Sequence, residues 1–146
     1  MISGVRSAPV SRCVPVVLLA TVALALGGCG AATSRSSSSK FKGEQGAVAK
    51  VVDQLSSAGR SKDAGKICND ILSPSLVAQI KADGADCQAE IKKAIEDADD
   101  YDLEVLSVSV NGNQAQARVR QGKKGQVATF SFQKENGGWR ATSLGG

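Results

Sequence analysis

The chain contains no histidine among its 146 residues. That removes the commonest general base and the commonest transition-metal ligand at once. Aromatic residues make up only 3% of the chain, although hydrophobic residues make up 42%. A core built from this inventory rests on Val, Leu, Ile and Ala, with few large anchors. No Gly-rich phosphate loop is present. No Ser or Cys can be paired with a His, no cluster has metal-ligand spacing, and no two cysteines stand as C-x-x-C. No cofactor, no metal and no catalytic residue is therefore expected of the chain. Nor is there an apolar run of the roughly 20 residues that a spanning helix needs.

What is there begins with an export pattern. Arg6 and Arg12 make a basic start, and no acid occurs before Glu44. Val14 to Leu26 is a 13-residue apolar run, the right length for the central region of a signal peptide. Leu26-Gly27-Gly28-Cys29 follows. Small residues let the strand lie flat in a peptidase site, and the Cys29 thiol is a nucleophile for a diacylglyceryl group. This resembles the lipobox of bacterial lipoproteins, which implies cleavage before Cys29 and acyl chains such as palmitate on that cysteine. Residues 1–28 are then the signal peptide, and the protein sits on the outer face of the cell membrane. One acyl chain binds a bilayer marginally, whereas two or more anchor it. Removing Arg6 and Arg12 leaves 16 basic against 14 acidic residues, a charge of +2, so the pI of about 9.0 is no argument for nucleic-acid binding.

Residues 29–42 comprise the lipidated Cys29 and a Ser-rich stretch with no hydrophobic period. Such composition cannot offset its ordering entropy and predicts a flexible tether. Arg35, Lys40 and Lys42 add basic charge near the bilayer. Cys13 leaves with the signal and Cys29 carries lipid, so Cys68 and Cys87 remain as a pair in an oxidising compartment. The expectation is a disulfide.

The domain, residues 43–146, divides into helices and then strands. Val48, Val51, Val52 and Leu55 mark one face of a helix over 46–57. Gly59-Arg60 reads as its break, and Ser61 as the cap of a second helix that runs through Ile67, Cys68 and Ile71. Ser73 caps a third, with Pro74 at its first position and Leu76, Val77 and Ile80 on its apolar face; Gly84 ends it. Asp86 caps a fourth, with Cys87, Ile91, Ala94 and Ile95 on one side. The period then changes to two. Strands are expected at 103–110, at 114–120, around Ala128, Phe130 and Phe132, and at 139–144. Asn111-Gly112-Asn113, Gln121 to Gly125 and Glu135 to Gly138 are the turns. The adjacent pair Val105-Leu106 predicts a bulge. The fold class is α+β, with N-terminal helices packed on a C-terminal four-stranded antiparallel curved sheet.

Certain short runs carry a family likeness: Ile67-Cys68 with Leu72-Ser73-Pro74, Cys87, Val110-Asn111-Gly112-Asn113 with Ala115-Gln116-Ala117, and Gly137-Gly138-Trp139-Arg140. Over Gln45 to Leu144 the chain resembles the nuclear transport factor 2-like (NTF2-like) domains of small exported lipoproteins from high-GC Gram-positive bacteria. The resemblance implies a cone of curved sheet closed by helices, often around an apolar pocket. The family includes isomerases and dehydratases, but no catalytic residue carries over. The dehydratases use His, which is absent here. The isomerases use a buried Asp and a Tyr, and the one tyrosine, Tyr101, lies among acids.

Two charged clusters remain. Asp97, Asp99, Asp100, Asp102 and Glu104 place five carboxylates within eight residues. That composition can bind Ca²⁺, but the spacing is not that of an EF-hand loop, and solvated charge at a helix end is the simpler account. Arg118, Arg120, Lys123, Lys124 and Lys134 form a basic set, read as the polar face of a half-exposed sheet. Phe130, Phe132 and Trp139 are expected in the core. The leading expectation is a non-enzymatic lipoprotein whose partners are the bilayer, through acylated Cys29, and a small apolar ligand or an envelope protein. The rivals are an enzyme using a carboxylate such as Asp70 or Asp102 in an apolar pocket, and an interaction module with a filled core.

Overall fold

The computed structural model of the chain describes residues 36–98 and 100–145. Helix α1 spans Gly43–Arg60, the three-residue α2 spans Ala64–Lys66, and a π-helical turn covers Ile67–Ile71. Helices α3 (Pro74–Ala82) and α4 (Cys87–Asp97) follow. Four strands then make an antiparallel meander in the order β1-β2-β3-β4: Leu103–Asn111, Gln114–Gln121, Val127–Glu135 and Gly138–Ser143. The class is α+β, with the helices on one face of the sheet.

Each element has a local cause. The apolar stripe of α1 buries Val48, Ala49, Val51 and Val52 against the sheet. β2 offers it Ala115 and Ala117, whose small side chains let the helix come close, while Phe130 and Phe132 of β3 supply the bulk. Ser73 caps α3 by accepting from the Leu76 N–H at 3.1 Å, and Asp86 caps α4 by accepting from the Ala89 N–H at 3.0 Å. Gly84 ends α3 with a left-handed φ of 82°. The pairing of β1 with β2 slips between Val105 and Ser107, so Leu106 is the extra residue of a bulge. The slip puts Val105 and Val108 on the same, buried face, which explains why strict alternation fails there. Asn136 and Gly137 both adopt positive φ, 50° and 81°, the conformation of a two-residue type I′ hairpin.

The first helix ends later than its glycine implies. Gly59 stays helical and buried because the Tyr101 ring lies on it; a Cβ there would stand 3.0 Å from the ring. Termination falls to Lys62, which takes φ 57°. Its N–H reaches the Gly59 carbonyl at 3.0 Å, and the Asp63 N–H reaches that of Ala58 at 2.9 Å, the paired bonds of a Schellman cap. The next helix is capped by Asp63, which accepts from the Lys66 N–H at 2.9 Å, and not by Ser61, whose hydroxyl turns back to the Ala58 carbonyl.

The stretch before α1 also departs from expectation. Ser36 to Phe41 belongs to the domain and not to a flexible tether. Ser38–Lys40 form a 3₁₀ turn, and Ser37 is 2% exposed. The Asp53 carboxylate, on α1, accepts the backbone N–H groups of Ser37 (2.9 Å) and Ser38 (3.0 Å) and the Ser36 hydroxyl (2.8 Å). Ser37 Oγ in turn accepts the Val105 N–H at 2.9 Å. Composition reads a serine run as solvated chain, yet here distant partners use its polar groups.

Those contacts also guard the sheet. Unpaired edge strands invite pairing with other chains. Along β1, Ser56 Oγ meets the Leu103 N–H at 3.4 Å, Ser37 meets Val105, and Gln45 Nε2 donates to the Val108 carbonyl at 3.0 Å. Along β4, Leu72 forms a parallel bridge to Ala141, and the Ser73 N–H donates to the Ala141 carbonyl at 2.8 Å. Among the described residues no helix is long and apolar enough to cross a membrane.

Candidate ligand cleft

A cleft of about 190 Å³ opens beside the C-terminal end of α1. The last turns of α1 contribute Leu55 and Gly59, and the π-helical turn contributes Ile67. The opposite wall is α4, through Ile91, Ala94 and Ile95, an i, i+3, i+4 stripe on one helix face, with Ala98 just past its end. The floor is Phe130 and Leu103 of the sheet, with Leu144 just beyond β4 and Tyr101 at the helix–strand junction. Polar groups are few: Ser56, Asp100 and Gln121.

Two of those three are already engaged. Ser56 Oγ donates to the Tyr101 carbonyl at 2.6 Å and accepts from Arg60 Nη1 at 2.9 Å and the Leu103 N–H at 3.4 Å. One donor and two acceptor sites are all that a hydroxyl has, so Ser56 has nothing left for a ligand. Asp100 Oδ1 accepts the Asp102 N–H at 2.8 Å. The cleft is thus an aliphatic slot with a tyrosine at its side and a carboxylate and an amide near its mouth.

The sulfur pair supports the α4 wall. Cys68 and Cys87 form a disulfide with an S–S distance of 2.06 Å, joining the π-helical turn to the first residue of α4. Both are buried, at 7% and 3% exposure. Cys87 and Ile95 are the two buried residues of α4. Cys29, Cys13 and the apolar run 14–26 lie outside the described residues.

The charged clusters are taken apart by the fold. Asp102 pairs with Arg60 at 2.8 Å. Glu104 pairs with Lys40 and with Arg120, both at 3.2 Å, the latter directly across from it on β2. Asp100 is turned into its own backbone, and Asp99 lies outside the described residues. Among the described residues no group of three or more acids or cysteines is placed to hold a metal ion. Neither Asp70, exposed on the π-helical turn, nor Asp102 lines the cleft.

The basic set divides as well. Arg118 and Arg120 lie on the open sheet face, and Lys123 and Lys124 on the β2–β3 turn. Lys134 stands opposite Trp139 in the β3–β4 register, on the helix-covered face and not with the others. Its ammonium meets Glu44 at 2.6 Å and lies 5.9 Å from the Trp139 ring centre. Glu44 also accepts the Trp139 indole N–H at 2.6 Å. The Lys134 ammonium, and after it the indole donor, hold the Glu44 carboxyl below the ordinary carboxylate range. This clip ties the first turn of α1 to the last hairpin. Phe130, Phe132 and Trp139 are buried, as expected of core residues, and Phe130 also reaches the cleft floor.

Sequence reasoning found one cleft wall, the Ile91–Ala94–Ile95 stripe, but not the cleft. Leu55, Tyr101 and Leu144 come from elements with no local signal of shared purpose. The match of Gly59 to the Tyr101 ring spans 42 positions, beyond any periodic pattern. No protein-family model, no curated protein and no solved structure matches the chain.

Proposed function

We propose that this chain is an exported lipoprotein, anchored to the outer face of the cell membrane through lipid on Cys29, and that its domain holds a small apolar ligand without transforming it. The observation that carries the ligand reading is the lining of the cleft: eleven of its fourteen residues carry apolar or aromatic side chains or none, and Ser56 is saturated. Support for the address comes from Leu26-Gly27-Gly28-Cys29 behind a short apolar run, together with a buried disulfide of the kind that persists in oxidising compartments. The helices-then-meander order is in keeping with the cone of the nuclear transport factor 2-like domains. Size limits the occupant. Drug-sized ligands fill pockets of roughly 300–1,000 Å³. The 190 Å³ here suits one alkyl chain or one ring, not a fused-ring sterol.

Two measurements test these readings. Cys29→Ser is expected to move the protein from the membrane to the soluble fraction and to abolish incorporation of labelled palmitate. A wild-type chain that takes up no palmitate would end the lipoprotein reading. For the cleft, the neutral probe N-phenyl-1-naphthylamine is expected to brighten on binding. Ala94→Phe, at an exposed position of α4 that lines the slot, fills it from the side and is expected to weaken probe binding at least roughly tenfold, the scale of about 1.4 kcal/mol. Unchanged probe affinity in a folded Ala94→Phe protein rules out the cleft as the binding site.

A further inference from the structure

A second recess of about 460 Å³ adjoins the apolar cleft, and the two share Ala98, Asp100 and Gln121 as lining residues. The second recess has more charged and amide residues in its lining than the cleft does, and it is bounded by the β2–β3 turn, which brings Lys123 and Lys124 to it. Neither lysine forms an ion pair among the described residues, whereas Lys40, Lys134, Arg60 and Arg120 all do. Two acids share this recess. The Asp100 carboxylate lies over Gly122, where a Cβ would meet its Oδ2 at 2.9 Å, and its other oxygen accepts the Asp102 N–H. Asp97 lies at the C-terminal end of α4, where the helix already presents partial negative charge. Of the charged groups around this recess, the two lysines on the turn have no ion pair among the described residues, while the Asp100 carboxylate already accepts a backbone N–H.

We infer that the preferred ligand is a single-chain amphiphile, with its alkyl chain in the cleft between α1 and α4 and an anionic head over the β2–β3 turn, facing Lys123 and Lys124. This rests on the reading of the cleft as an apolar-ligand site and adds the head to it. Tail burial supplies affinity that depends on apolar area, and the lysines supply charge selection. A carboxylate and a phosphate monoester share the required chemistry.

The full chain carrying Cys29→Ser, which has no acyl group of its own to compete, is titrated with four ligands of equal tail length. These are dodecanol, dodecanoate, dodecyl phosphate and dodecyltrimethylammonium, each followed by displacement of N-phenyl-1-naphthylamine below its micelle concentration. Dodecanoate or dodecyl phosphate is expected to bind roughly five- to tenfold tighter than dodecanol, the scale of two partly screened ion pairs. The preference between the two anions tells a fatty acid from a phosphate headgroup. Lys123→Ala with Lys124→Ala, both at exposed turn positions, is expected to remove that advantage and leave dodecanol affinity unchanged. Equal affinity for dodecanol and both anions overturns the head assignment while the apolar site stands. Tighter binding of the cationic amphiphile also overturns it and assigns the recess to Asp97 and Asp100. No displacement by any of the four removes the apolar-ligand reading as well.

Discussion

Helix α1 and the α3–α4 pair are held to the same sheet-based core by different means. Seven residues of α1 are buried, against two of α4 and none of α3. The α1 interface is a matter of area: Val48, Val51 and Val52 pack on strands with small residues opposite them, and the helix gains its stability from that packing. The α3–α4 pair covers half-buried side chains such as Leu76, Val77, Ile80 and Ile91, and its firm point is the covalent bond from Cys87 to Cys68. One half of the helical layer is kept by burial and the other by a cross-link. The cleft lies where the two halves meet, since one wall belongs to each.

The sharpest way to break this comparison is to remove the cross-link. Cys68→Ser with Cys87→Ser opens a loop with a sequence separation of 19, for which the chain-entropy estimate is about 3 kcal/mol. The loss is expected in chemical denaturation. Hydrogen exchange is expected to rise over 74–97 and to stay low in α1 and β2. Equal deprotection of α1 and α4 would show that the two are one cooperative unit, held alike by burial and cross-link. Probe binding is expected to fall with the α4 wall.

On the α1 side, Asp53→Ala tests whether the segment before the helix is part of the packed unit. The carboxylate accepts two backbone N–H groups and a hydroxyl, so its removal is expected to cost about 1–2 kcal/mol, in the range of lost caps and charged hydrogen bonds. Proteolysis between 36 and 42 is expected to accelerate with it. A variant as stable and as resistant as the parent would return those residues to the tether.

The smallest effect belongs to the Glu44 clip. Lys134 and Trp139 lower the folded-state pKa of this carboxyl, so the clip's contribution to stability is fully present above the ordinary glutamate value. That contribution is lost as pH falls through the lower, folded value. The melting temperature of the wild type is therefore expected to drop over that acid range more than that of Glu44→Gln, and the two curves to converge at the acid end. Parallel curves would mean that the salt bridge is solvated and inert.

Legibility in the sequence followed the range of the interaction. The Ser73 and Asp86 caps, the Gly84 stop, the Val105-Leu106 bulge and the Asn-Gly turn were all readable. Each is settled by side chains within a few positions of the backbone groups they serve. Gly59 and Ser61 were misread because the same local rules met a distant partner. The Tyr101 ring makes Gly59 a packing residue, and the Schellman bonds at Lys62 hand the cap to Asp63. The acidic and basic clusters look like sites along the chain, but antiparallel pairing sets Glu104 against Arg120 and carries Lys134 to the other face of the sheet.

The α+β order of elements, most of the caps and the pairing of Cys68 with Cys87 were legible in the chain alone. These follow from period, turn chemistry and the count of available thiols, all carried by the chain itself. That residues 36–41 belong to the domain, that both sheet edges are guarded, and that an aliphatic cleft adjoins a recess with two unpaired lysines emerged only with the packed fold. Those features need groups tens of positions apart to meet. Such meetings are settled by how helices seat on a twisted sheet, which no local pattern encodes.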